Sequence, residues 1–116
     1  MFEGEYLNGK RNGKGKEFYY NGKLMFKGEY LNGKKWNGNG YNDNSRIYSL
    51  KDGKGFVKEY GHEYCYEDLL IFEGEYINGE KNGKGIEYDD FGRLKFEGEY
   101  LNEKNGMERD MIIKVI

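Results

Sequence analysis

Apolar and polar residues alternate with a period of two in Phe2-Glu3-Gly4-Glu5-Tyr6, which is strand geometry: Phe2, Gly4 and Tyr6 share one face, Glu3 and Glu5 the other. Gly13-Lys-Gly-Lys-Glu-Phe18 alternates too, with Gly13, Gly15 and Glu17 opposite in sense to Lys14 and Lys16. Asn21-Gly22 follows, a pair that predicts a two-residue type I′ hairpin turn. The six residues from Leu7 to Asn12 predict a longer loop.

This pattern returns nearly letter for letter at Phe26, Phe72 and Phe96, and both Phe2 to Phe26 and Phe72 to Phe96 span 24 residues. A fixed period in this range marks a chain built by stacking one supersecondary unit. With Asn21-Gly22 in a tight turn and units stacked without slippage, Gly15 falls between Gly4 and Gly28, and Gly13 between Tyr6 and Tyr30. Lys14 then falls between Glu5 and Glu29, and Lys16 opposite Glu3. One register thus sets rings over glycines on one face and Glu against Lys on the other.

The expected fold is all-β: an elongated single-layer antiparallel sheet of stacked hairpins, roughly 40–50 Å long at about 10 Å per unit. The expected organisation is a single repeat domain over 1–116, with units starting near 2, 26, 47, 72 and 96. Trp36 sits in a loop one residue longer than its counterpart, and the middle that follows, 42–71, is irregular: Asn42-Asp-Asn-Ser45 reads as a turn, and Ile47–Leu50 as a short strand. A strand is expected over Gly53–Tyr60 and a weaker one over Tyr64–Tyr66, within an expanded connection from Gly61 to Leu70. Residues 107–116 read as a capping segment.

The composition agrees with β structure. Nineteen Gly and no Pro sit beside 12 Tyr, 7 Phe and 1 Trp, and the chain has no Ala, so it is a poor helix former with a large aromatic area to bury. Mean hydropathy is -1.04, but an aromatic fraction of 17% opposes disorder. The net charge of -2 is a fine-grained mixture that supplies no basic footprint for nucleic acid. Cys65 is the only cysteine, which excludes an intrachain disulfide. No apolar leader opens the sequence, no Gly follows Met1 and no apolar run approaches membrane-spanning length, so a cytoplasmic location is expected.

The elements Phe2-Glu-Gly-Glu-Tyr6 and Gly9-Lys-Arg-Asn-Gly-Lys-Gly15 resemble the MORN (membrane occupation and recognition nexus) repeat family: an aromatic, x, Gly, x, aromatic, then Gly-Lys, then Gly-x-Gly. Phe stands here where the family commonly has Tyr, and Tyr where it has Trp. The resemblance implies an array of hairpins acting as an interaction or scaffolding module. It also links the chain to partner-protein binding, dimerisation and phosphoinositide contact.

Candidate chemistry dissolves into this architecture. Gly13-Lys-Gly-Lys16, Gly53-Lys-Gly55 and Gly83-Lys-Gly85 lack the Gly-Lys-Ser/Thr of a phosphate loop and read as strand glycines. Glu3/Glu5, Glu73/Glu75 and Glu97/Glu99 read as a solvated ladder rather than catalytic carboxylates. His62 and Cys65 have no strong orienting partner for catalysis and too few companions for a metal. No catalytic residue, metal or cofactor is therefore expected. The expected binding surface is the aromatic row Phe2, Tyr6, Phe26, Tyr30, Trp36, Phe72, Tyr76, Phe96 and Tyr100, which meets a protein partner or a second copy through the sheet face or the sheet ends. The alternative is anionic lipid contact through Lys10, Arg11, Lys34 and Lys35, a basic cluster that fades at Glu80-Lys81 and Glu103-Lys104.

Overall fold

The computed structural model describes residues 1–61, 69–102 and 110–115, with 101–102 and 110–115 as backbone alone. The expected strand at Tyr64–Tyr66 and the residues His62, Cys65, Glu103 and Lys104 lie outside that set. The elements are β1 (Phe2–Leu7), β2 (Lys10–Phe18), β3 (Leu24–Leu31), β4 (Lys34–Asn42), β5 (Ser45–Leu50), β6 (Gly55–Tyr60), β7 (Leu70–Ile77), β8 (Glu80–Tyr88), β9 (Leu94–Asn102) and β10 (Asp110–Val115). Every sheet neighbour is antiparallel and next in sequence, in two five-stranded sheets, β1 to β5 and β6 to β10. The segment expected to cap the array supplies β10, paired with β9.

The derived register holds through the body of the sheet. Gly15 faces Gly4 on one side and Gly28 on the other, Lys14 faces Glu29, and Lys16 faces Glu3. Gly85 likewise lies between Gly74 and Gly98. Rings do lie on the glycines. A Cβ on Gly15 would stand 2.6 Å from Phe2 Cε1 and 3.0 Å from Tyr30 Cε1. On Gly85 it would stand 3.0 Å from both Phe72 and Tyr100.

The turns are exchanged relative to expectation. The tight turn is Asn8-Gly9, both residues left-handed at φ 53° and 79°, with Leu7 facing Lys10 and Tyr6 facing Arg11. The six-residue loop is therefore absent, and Tyr6 does not face Gly13. The extra residues of β2 bulge opposite Glu5, whose carboxylate accepts the Lys14 N–H at 2.6 Å. Gly13, at φ 93°, lacks the Cβ that would collide with that carboxylate. At Asn21-Gly22 the connection is longer than two residues: Gly22 N–H donates to Tyr19 C=O at 2.9 Å and takes the left-handed conformation at φ 87°. Phe18 accordingly faces Leu24, and a slip between Glu17 and Phe18 returns the strands to the derived register. A wrong turn type still gave the right register because this bulge absorbs the difference.

The irregular middle keeps the hairpin rule. Asp43-Asn44 turns the chain into β5 and Asp52-Gly53 turns it into β6, which starts at Gly55 rather than Gly53. Trp36 lies within β4, at the slip between the pairs Glu29–Asn37 and Tyr30–Lys35, rather than in a loop.

Each sheet is a single layer of hairpins, but the whole is not a straight ribbon. Its extents are 38 × 35 × 21 Å. Beyond the Lys51–Lys54 bridge, β5 and β6 part and belong to different sheets. The bend lets the aromatic faces share one core: Phe26, Tyr30, Tyr48 and Leu50 from the first sheet pack with Val57 of the second, and Tyr76 packs against them. Phe26 is 0% exposed and Val57 and Phe72 2%. A straight single layer would leave those rings in water, forgoing roughly 1.5–3 kcal/mol for each large side chain.

Candidate binding cleft and the aromatic face

Strand parity puts every member of the aromatic row except Trp36 on the concave face, and most of the rings meet edge to face. Phe2–Tyr6, Phe2–Tyr30 and Phe26–Tyr30 have centroids 5.4, 5.1 and 5.6 Å apart, and Phe26 stacks on Tyr48 at 6.4 Å. Phe72–Tyr76, Phe72–Tyr100 and Phe96–Tyr100 repeat the arrangement at 6.0, 6.1 and 5.4 Å. The row divides by burial. Phe26, Tyr30, Phe72 and Tyr100 are core; Phe2, Trp36, Tyr76 and Phe96 are half-buried; Tyr6, on the edge strand, is 61% exposed. Trp36 stands apart from the ring chain, against Gly53 at the turn edge.

The tight Asn8-Gly9 turn draws basic residues onto this face. Arg11 faces Tyr6, sits 4.2 Å above the Phe2 ring and bridges Glu17 at 3.0 Å. Tyr30 donates its hydroxyl to the same Glu17 oxygen at 2.7 Å. Burial first, and then the hydrogen bond and charge of Glu17, push ionisation of Tyr30 well above the usual phenol range. The second sheet repeats the group with Lys81 4.4 Å above Phe72 and 3.8 Å from Glu87. There the Tyr100 hydroxyl is buried without a hydrogen-bond partner among the described residues. Lys35 takes the corresponding place 5.2 Å above Phe26. Lys34 pairs with Glu80 across the two sheets. Of the four residues proposed to touch lipid, Lys10 is the exposed one, while Arg11, Lys34 and Lys35 are half-buried and engaged.

The acidic ladder is only partly a ladder. Lys58 and Glu73 face one another and close to 3.7 Å. Glu5 and Glu75 instead cap the bulge N–H groups of Lys14 and Lys84. The acidic residues that matter on the concave face are Glu17, Glu59 and Glu87, facing Phe26, Phe72 and Phe96. Their parity was legible beside the glycines, but their proximity to cations required the tight turn.

Between the sheets, at the end of the strands opposite the Asn8-Gly9 turn, the concave face opens into a cleft of about 520 Å³. Tyr19, Met25 and Tyr48 line it from the first sheet, and Glu59, Tyr60 and Ile71 from the second. Tyr48 is 8% exposed; burial, then the charges of Glu59 and Glu17, raise its ionisation above the usual range. A second hollow, about 560 Å³, lies on the polar face over Gly4, Gly15 and Gly28, flanked by Lys14, Lys16 and Lys27. Among the described residues no group of His, Cys, Asp and Glu is arranged to hold a metal ion. No helix among them is long and apolar enough to cross a membrane.

Rings seated on paired glycines, strand after strand in antiparallel hairpins, define a β-hairpin repeat protein. The family model of the MORN repeat, generally a module of membrane and protein interaction, matches residues 2–23 and 72–93. No curated protein and no solved structure matches the chain.

Proposed function

We propose that the protein is a non-catalytic interaction module of the cytoplasm that binds a protein partner through the part of its aromatic face not used as core. The observation that carries this reading is the cleft between the sheets, walled by Tyr48 and Tyr60 and mostly apolar in its lining. Phe26, Tyr30, Phe72 and Tyr100 hold the module together, so partner contact falls to the cleft and to the edge strand β1, where Tyr6 and Leu7 are 61% and 58% exposed. Contact with a second copy would use that edge.

The lipid alternative loses support because Arg11 and Lys34 are in ion pairs and Lys35 lies over a ring. The test is partner capture from extract by the intact chain, by Met25→Lys, which places a charge in the cleft, and by Lys14→Glu on the opposite face. Loss with Met25→Lys alone supports the reading. Retention by Met25→Lys, or binding of the chain to anionic vesicles at low salt with no protein captured, refutes it.

A further inference from the structure

The repeats can be compared with one another position by position. In β2 the carboxylate of Glu17 is neutralised by Arg11 of the same strand, and in β8 Glu87 has Lys81. Both cations lie in the stretch between the tight turn and the first glycine: Lys10-Arg11-Asn12 before Gly13, and Glu80-Lys81-Asn82 before Gly83. Register makes Gly55 the counterpart of Gly13 and Gly83, since the three face Tyr76, Tyr30 and Tyr100. Yet between the turn Asp52-Gly53 and Gly55 stands Lys54 alone. Two residues are missing, and the cation is one of them. Glu59, the counterpart of Glu17 and Glu87, consequently has no ion pair or hydrogen bond among the described residues, and it lines the cleft beside Tyr48 and Tyr60.

The neighbouring unit has the reciprocal defect. Lys35 occupies the cation position of β4, but Gly40 stands where β2 has Glu17, and the Tyr48 ring covers that glycine. Lys35 also lines the cleft, held over Phe26 at 5.2 Å. Lys58 and Met1 also border the cleft, but Lys58 closes to 3.7 Å from Glu73 and the Met1 amino group donates to Phe18 C=O, so the charge that β6 leaves without a counter-ion among the described residues is Glu59, set beside Tyr60. An unpaired carboxylate beside aromatic rings suits a cation with an apolar stem.

We propose that the cleft receives a basic side chain, a lysine or arginine presented by a partner polypeptide, with Glu59 as its counter-ion and Tyr48 and Tyr60 as its aromatic walls. This rests on the cleft being the module's partner-binding surface. The incoming cation completes in trans the group that Arg11, Phe2 and Glu17 form in cis. Lys35 repels it from the opposite rim and so directs it toward β6.

The test titrates the full chain with short capped peptides that differ only in a central Arg, Lys, norleucine or Glu, followed through the amide resonances of Tyr48, Glu59 and Tyr60. The Arg and Lys peptides shift these signals, whereas the norleucine and Glu peptides do not. Glu59→Gln weakens Arg-peptide binding by about tenfold or more, the ordinary consequence of losing one charge-assisted contact. Lys35→Met tightens it, a change of opposite sign that general loosening of the fold would not produce. Unchanged thermal melting of both variants confirms that the fold is kept. Equal binding of the norleucine peptide, or full binding by Glu59→Gln, overturns the proposal. If Met25→Lys still abolishes partner capture in that case, the cleft remains the binding surface and only its preference for basic residues falls. If capture also survives Met25→Lys, both readings fall.

Discussion

Replacing Gly15 by alanine separates two reasons for a glycine. Gly15 has ordinary strand dihedrals, so the added methyl meets no backbone penalty; it meets rings. Its Cβ would lie 2.6 and 2.7 Å from Phe2 Cε1 and Cζ and 3.0 Å from Tyr30 Cε1. Carbon atoms rest about 3.5–4.0 Å apart, so both rings must retreat by roughly 1 Å. Tyr30 is 3% exposed and its hydroxyl is committed to Glu17, so its retreat also loosens that bond. Overpacking at about 1–3 kcal/mol and a hydrogen bond of about 1 kcal/mol give a destabilisation of roughly 2–4 kcal/mol. Gly9→Ala is the contrast: nothing lies within 4 Å, but φ is 79°, so only the left-handed backbone penalty of about 1–2 kcal/mol applies. Gly85→Ala falls between them, because its rings stand at 3.0 Å and the Tyr100 hydroxyl has no bond to lose. Urea unfolding should show midpoints falling in the order Gly9, Gly85, Gly15 with the slope unchanged. Adding Phe2→Leu should recover part of the Gly15→Ala loss. Equal midpoints for Gly9→Ala and Gly15→Ala, or no recovery with Phe2→Leu, would refute the steric account.

Glu17→Gln should cost more than Glu87→Gln, by about 1 kcal/mol in urea unfolding, because Glu17 serves both Arg11 at 3.0 Å and Tyr30, whereas Glu87 has Lys81 at 3.8 Å. The raised ionisation of Tyr30 and Tyr48 means that their contribution to stability is complete below the unfolded phenol value of 10.0 and is lost as pH climbs above it. Ultraviolet titration should find these two phenols protonated until the fold opens, and their ionisation alongside the exposed tyrosines would contradict this. The Arg93 and Phe91 N–H groups and the Arg93 side chain hold the Asp89 carboxyl below its ordinary value of 3.8. Its support of the turn is present above that value and fades as pH falls through the lowered one. Asp89→Ala should therefore differ from the parent in urea midpoint at neutral pH and converge with it in strong acid.

Much of the fold was legible because one register satisfied two faces at once: Gly15 under Phe2 and Tyr30, and Lys16 across from Glu3, followed from parity alone. The turns were not, because Asn8-Gly9 and Asn21-Gly22 carry the same dipeptide and only the bulges at Gly13 and Met25 decide which one is tight. That error hid the cations, since a loop from Leu7 to Asn12 leaves Arg11 in water and a tight turn places it over Phe2. The bend between β5 and β6 is a tertiary effect, marked in the sequence only by Val57 standing where Gly15 and Gly85 stand in other units. Averaging the repeats concealed both Val57 and the missing partner of Glu59. Departures from the period held more of the candidate site than the period did.

The tight turns along one edge are tied to neighbouring units. Gly33 N–H donates to Arg11 C=O, Gly53 N–H to Trp36 C=O and Gly79 N–H to Gly53 C=O, while the Asn12 and Asn37 side chains accept from Asn32 and Asp52. These bonds stitch the molecule as a spine binds pages, and the cleft lies at the fore-edge. Any change in the angle between the sheets would then be a rotation about the stitched margin, largest where Tyr48 and Tyr60 stand and smallest at Gly53. A partner seated between the pages would act as a wedge with a long lever arm, and a modest local contact would set the angle between the two sheets.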